Sequence, residues 1–225
     1  MFSMNNRETF NGQLRNLSDQ VLILGCMVEQ AIRQSVLAFQ NQNKVMAQKI
    51  IKGDIIINEK RYELESACIK LIATQQPMGR DVRFLASILE IITELERIGD
   101  YAKGIGKITL LIPENDDLPT IIGYLMKMTD KGLLMLQRSL DAFISGDISA
   151  ARQIPLDDDE VDNLYNEVSM EINNLVIAHP QKVFIANHLM WAAHNLERMA
   201  DRVTNICERI VYVYTGEMQE MDTKN

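Results

Sequence analysis

Two five-residue segments, Glu96-Arg97-Ile98-Gly99-Asp100 and Glu197-Arg198-Met199-Ala200-Asp201, each set two carboxylates four positions apart beside an arginine. Residues i and i+4 are neighbours on one helix face, so each segment projects a carboxylate pair if it is helical. Such a pair repels itself unless a cation or a basic group lies between its members. Glu96 and Glu197 stand 101 positions apart, as do Asp100 and Asp201. Earlier in the chain a spacing of 104 pairs Ser35, Ala38 and Phe39 with Ser139, Ala142 and Phe143, and Asp54, Ile57 and Asn58 with Asp158, Val161 and Asp162. The chain therefore reads as one unit of about a hundred residues, duplicated.

The elements that carry these residues read as helices. Leu14, Leu17, Val21, Leu24, Val28, Ile32 and Phe39 form an apolar stripe at helical steps, and predict a first helix from near Phe10 to Gln40. A second covers Lys44 to Thr74 with Ile50, Ile57, Leu64, Leu71 and Ile72 facing inward. Pro77 and Gly79 punctuate a tight connection to a third, Arg80 to Ile112. The acidic stretch 114–117, bounded by Pro113 and Pro119, is the expected linker between halves. The second half repeats the plan over Thr120 to Ser145, Asp147 to Ala178 and Gln181 to Thr215, with Asp147 as an N-cap. Pro155 cannot sit inside a regular helix, so helix five is expected to start properly at Asp157, after a separate or kinked piece over 148–154. The fold class is all-α: two tandem, sequence-related three-helix bundles at 10–113 and 119–215, then a polar, frayed tail at 216–225.

In an antiparallel hairpin, residues equidistant from the turn lie level. Asn58 and Glu96 are equidistant from Pro77, and so are Asp54 and Asp100; Asp162 with Glu197, and Asp158 with Asp201, are centred on the His179–Pro180 bond. Each half should thus bring two polar groups of its second helix level with two carboxylates of its third. Oxygen ligands in this number suit Mg, Mn or Fe, with Zn possible. The candidate metal ligands are Glu96, Asp100, Asp54 and Asn58 in the first half and Glu197, Asp201, Asp158 and Asp162 in the second. Asn58 is neutral, so the first site should be the weaker. The competing reading is that Arg97 and Arg198, with Lys103 and Lys107, neutralise the acids; adjacent residues do not face each other on a helix, so the arginines should point to another helix.

Composition sets limits. A net charge of −8 and the lack of basic runs argue against nucleic-acid binding. No uninterrupted apolar run approaches the ~20 residues that span a bilayer, and the polar N-terminus has no signal-peptide core. Cys26, Cys68 and Cys207 are too scattered for a disulfide framework or a zinc motif and read as small core side chains in a reducing, cytoplasmic setting. There is no nucleophile–base motif, and Gly104-Ile105-Gly106 lies within a helix rather than after a strand, so it is not a dinucleotide fingerprint.

The doubled Leu-Glu-Arg-(Ile/Met)-(Gly/Ala)-Asp segment resembles the signature of the PhoU family of phosphate-signalling regulators. Phe10-Asn11 with Leu14, Gly25 with Met27 to Gln30, Leu71-Ile72-Ala73 through Gln76-Pro77, Asp81-Val82-Arg83 and Asn205 to Glu208 extend the resemblance over nearly the whole chain. Pro155 departs from the family's long fifth helix. The resemblance implies two pseudo-symmetric three-helix bundles that can hold metal at the cassettes, no catalysis, and usually a homodimer. It also implies negative regulation of the phosphate-starvation response, as an adaptor between the ATPase of a phosphate ABC transporter and a sensor histidine kinase. The rival class is a carboxylate-bridged metal-dependent enzyme or a metal-storage protein.

Overall fold

A computed structural model of the chain describes residues 2–113 and 119–221. Among the described residues seven α-helices run α1 (Phe2–Gln40), α2 (Lys44–Gln75), α3 (Arg80–Leu111), α4 (Pro119–Ser145), α5 (Ile148–Gln153), α6 (Asp158–Ala178) and α7 (Val183–Thr215). Short 3-10 turns at Ile154–Asp157 and Pro180–Lys182 precede α6 and α7. Among the described residues there is no strand. The linker expected at 114–117 lies outside them.

α1, α2 and α3 pack as the first bundle, and α4, the broken α5–α6 rod and α7 as the second. Val21, Leu24, Val28 and Ile32 of α1 are fully buried, as are Leu85, Leu95 and Ala102 of α3 and Leu189, Ala193 and Val203 of α7. Residues Arg7–Gln40 are long and apolar enough, by length and composition alone, to cross a membrane. Here that apolarity meets the needs of a central core helix.

The ends follow local chemistry. The side chains of Asn43 and Asp147 accept from the backbone N–H groups of Met46 and Ala150, at 3.0 and 2.9 Å, and cap α2 and α5. Gly146 (φ 71°) supplies the left-handed turn before Asp147, with the Tyr214 hydroxyl closing over it. The break at Pro155 falls where expected, with α6 starting at Asp158.

Three expectations are corrected. α1 begins at Phe2 rather than near Phe10, and its first turns are tied down by an Arg7–Asp81 ion pair of 2.8 Å. Cys26 is exposed, because it lies off the Leu24–Val28 stripe. Cys68 and Cys207 are core residues as expected, and burial pushes both thiols up to about 12. The tail does not simply fray: the Met221 N–H donates to Glu208 at 2.8 Å, and Met221 packs on the core.

The two bundles meet chiefly through α3 and α7. The Ser87 hydroxyl donates to the Arg209 carbonyl, and Arg83 Nε donates to that of Val213, at 3.2 and 3.3 Å. Further along, Arg202 meets Glu94 and Arg198 meets Tyr101. Rising numbers on α3 therefore face falling numbers on α7, so the pair is antiparallel. Gly104 allows the close approach, since a Cβ there would lie 2.9 Å from the Asn195 amide nitrogen. With the 101-residue repeat, this register puts a pseudo-two-fold axis near Ile98 and Met199, inside the two cassettes.

Candidate functional site

The axis explains why the cassettes occupy the middle of α3 and α7. Their apolar members are core: Ile98, Gly99, Met199 and Ala200 are all buried. A Cβ on Gly99 would lie 3.2 Å from Ile57. The second copy has Ala200 at this place and Val161 in place of Ile57, so a methyl gained at one position is matched by one lost at the other.

In the first half the hairpin geometry brings the expected residues together. Asp54 is buried, and its Oδ2 accepts from Lys103 Nζ at 2.6 Å and from Asn58 Nδ2 at 3.1 Å. Lys103 also reaches Asp100 Oδ1 at 3.5 Å. The hydrogen bond to Asp54 holds the ammonium above its usual pKa, despite partial desolvation. Glu96 is half-buried. Desolvation and then the neighbouring Asp100 raise its carboxyl above the ordinary value, with the Arg61 guanidinium opposing. So Lys103, and not Lys107, which is exposed, is the cation between these carboxylates.

The second half carries one more acid at the matching positions. Asp158 on α6 is buried, and Asp162 on α6 and Glu197 and Asp201 on α7 are half-buried. The position repeating Lys103 is Thr204, and that repeating Asn58 is Asp162. His194 Nδ1 lies 3.3 Å from Glu197 Oε2, with the Tyr165 ring close by. Arg198 feels the charges of Asp201 and Glu197, although a hydrogen bond with the Tyr101 hydroxyl at 3.2 Å does most to raise its pKa. That contact sends Arg198 to another helix, as expected. Arg97 instead folds back along α3 to Glu94 at 3.0 Å.

As a metal cage the two constellations differ in fit. Among the described residues, no three His, Cys, Asp or Glu side chains converge as a ready ligand set. In the first half the Lys103 ammonium takes the place a cation would fill. In the second, the sequence places Thr204 where the repeat has Lys103.

Glu94 was missed by spacing arguments. It is buried on α3, and accepts from Arg97 at 3.0 Å, from Arg202 at 3.3 Å and from Asn205 at 3.2 Å. The available signal was a charged residue in the apolar stripe, one helical step from both Ile91 and Ile98. Its repeat partner is Asn195, so this acid belongs to the seam between halves rather than to either cassette. Over the same seam, Arg97, Asp100 and Tyr101 of α3 and Arg198 and Arg202 of α7 line a cleft of about 290 Å³.

Residues 21–109 and 125–210 each match the family model described as the PhoU domain. The chain is 33% identical over 217 residues to a phosphate-specific transport system accessory protein PhoU homolog of Clostridium acetobutylicum, covering 96% of this chain and 99% of that one. It is 35% identical over 216 residues to the homolog of Streptococcus pneumoniae, covering 96% and 100%, and 32% identical over 208 residues to the Escherichia coli protein, covering 92% and 86%. The crystal structure of the phosphate transport system regulatory protein PhoU from Streptococcus pneumoniae superposes with a TM-score of 0.87 at 34% identity, over 93% of this chain and 99% of that one.

Proposed function

The chain belongs to the PhoU family, and from that premise we propose that it is a regulatory accessory protein of phosphate transport. In this reading it is a non-enzymatic cytoplasmic adaptor that represses phosphate-uptake genes when phosphate is plentiful, by contacting the ATPase of a phosphate transporter and a sensor histidine kinase. The observation that carries it is the match of both halves to the same domain, with the two cassettes meeting at the axis that relates them. In the first cassette the Lys103 ammonium offsets the carboxylates of Asp54 and Asp100. Deleting the gene in its host and measuring alkaline phosphatase in phosphate-rich medium tests this. Derepression is expected, and a level that stays low overturns it.

The second cassette is also the better candidate for metal. Thr204 in place of Lys103 and Asp162 in place of Asn58 leave Asp158, Asp162, Glu197 and Asp201 more negative than Asp54, Asn58, Glu96 and Asp100. Mg, Mn, Fe or Zn would bind there first, the choice following availability. Elemental analysis of protein purified without chelators should show that Glu197→Ala with Asp201→Ala removes more metal than Glu96→Ala with Asp100→Ala. Equal loss, or no metal at all, refutes the ranking. A homodimer is the expected assembly; light scattering that gives only the 25.7 kDa of one chain at micromolar concentration refutes that.

A further inference from the structure

The cleft over the α3–α7 seam belongs to neither cassette alone. Under the repeat, Arg97 corresponds to Arg198 and Tyr101 to Arg202, so four of its five lining residues form two symmetric pairs about the pseudo-two-fold axis. Three guanidinium groups and one carboxylate, Asp100, line it. Glu94 lies beneath and takes one N–H each from Arg97 and Arg202, while a guanidinium carries five. Arg202 is held deep, with its side chain 16% exposed, and its buried Nε has no acceptor among the described residues. Arg198 spends Nε on the Tyr101 hydroxyl. Asp201 and Glu197 act on Arg198 from beside the cleft but do not line it.

We propose that this cleft binds inorganic phosphate on the pseudo-two-fold axis. Guanidinium forks match the oxygen spacing of a tetrahedral oxyanion, and a two-fold array of donors suits its paired oxygens. Asp100 adds selectivity. A carboxylate can only accept, so it tolerates an anion that brings an O–H and repels one that does not. Hydrogen phosphate brings one at neutral pH; sulfate does not. A phosphate monoester, with its second pKa near 6, is mostly without one at pH ~7. Asp100 thus favours free phosphate over a phosphorylated side chain as the source of the same phosphoryl chemistry. The site deepens the regulatory reading by giving it a small-molecule input, and it is tested on the isolated chain, so a failed binding measurement leaves the deletion phenotype to judge the adaptor role.

Equilibrium dialysis of the full chain with radiolabelled phosphate, at low salt and with chelator to remove metal-bridged binding, is the test. One saturable site per chain is expected, and equimolar sulfate or O-phosphoserine should leave it occupied. Arg97→Gln and the gentler Arg198→Lys should each weaken binding at least tenfold while helicity and melting stay unchanged. Asp100→Asn should narrow the preference for phosphate over sulfate about tenfold. No saturable binding, equal competition by sulfate or by O-phosphoserine, or full binding by Arg97→Gln would overturn the proposal.

Discussion

Asp54 shows how a single side chain decides what a cassette can hold. It is buried with Lys103 Nζ 2.6 Å away, and an unpaired carboxylate at that depth would be costly. Breaking a buried pair from one side costs about 3–5 kcal/mol; Lys103 is partly solvated, so Lys103→Gln should destabilise by about 1–2 kcal/mol in urea unfolding. An unchanged midpoint would mean that Asn58 alone satisfies Asp54. The pH dependence has a definite sign. Lys103 titrates higher in the folded state, so its contribution is complete below the unfolded value of 10.5 and is lost as pH rises through the folded one. The wild-type advantage over Lys103→Gln should therefore hold at neutral pH and shrink in strong alkali. In the first half the closeness of Asp54 to the Glu96–Asp100 pair was legible in the sequence, because distance from a turn fixes level in a hairpin. The cation between them was not, because a long lysine and an adjacent arginine reach the same acids by rotamers that spacing does not choose. Glu94 escaped for a related reason: its value lies in Arg202 and Asn205, more than a hundred positions away.

Elements were easier to read than contacts, since helix ends depend on neighbours in the chain. The caps at Asn43 and Asp147, the turn at Pro77–Gly79 and the break before Asp158 each rest on a few adjacent residues. Two glycines separate what local chemistry demands from what it tolerates. Gly53 lies inside α2 with open space where a Cβ would stand. Gly53→Ala should therefore stabilise by about 0.5–1 kcal/mol, through helix propensity and a less free unfolded chain. Gly146 has φ of 71°, and the Tyr214 ring and hydroxyl fill the place of its Cβ. Gly146→Ala should cost more than about 1 kcal/mol, because a strained backbone and a displaced Tyr214 add to one another. Thermal melts of the two variants should move in opposite directions. A shift of the same sign in both would show that the α4–α5 corner yields more easily than its packing implies. What the sequence left open at this scale was where α1 begins. Its first turns are polar, and a tertiary ion pair, Arg7 to Asp81, helps to anchor them.

At the scale of the whole molecule, the duplicated unit is not two independent bundles. α3 and α7 touch from Arg83 with Val213 to Gly104 with Asn195, a seam of roughly 32 Å at 1.5 Å per residue. Each of these two helices is also the third helix of its own bundle, so pulling the halves apart would strip both cores on one side. Glu94 is the polar centre of that seam, tying Arg97 of its own half to Arg202 and Asn205 of the other. The repeats should then unfold as one cooperative unit, even though at 225 residues a chain often unfolds in stages. Calorimetry should give a single endotherm whose calorimetric and van't Hoff enthalpies agree. Glu94→Ala leaves Arg202 without its carboxylate in a largely buried place and should cost about 3 kcal/mol. It should also split or broaden the endotherm, because the loss falls on the coupling between halves rather than within either core. Two peaks in the wild type would mean that each bundle stands alone. A sharp single peak in Glu94→Ala, merely shifted to lower temperature, would mean that the rest of the α3–α7 seam holds the halves together without it.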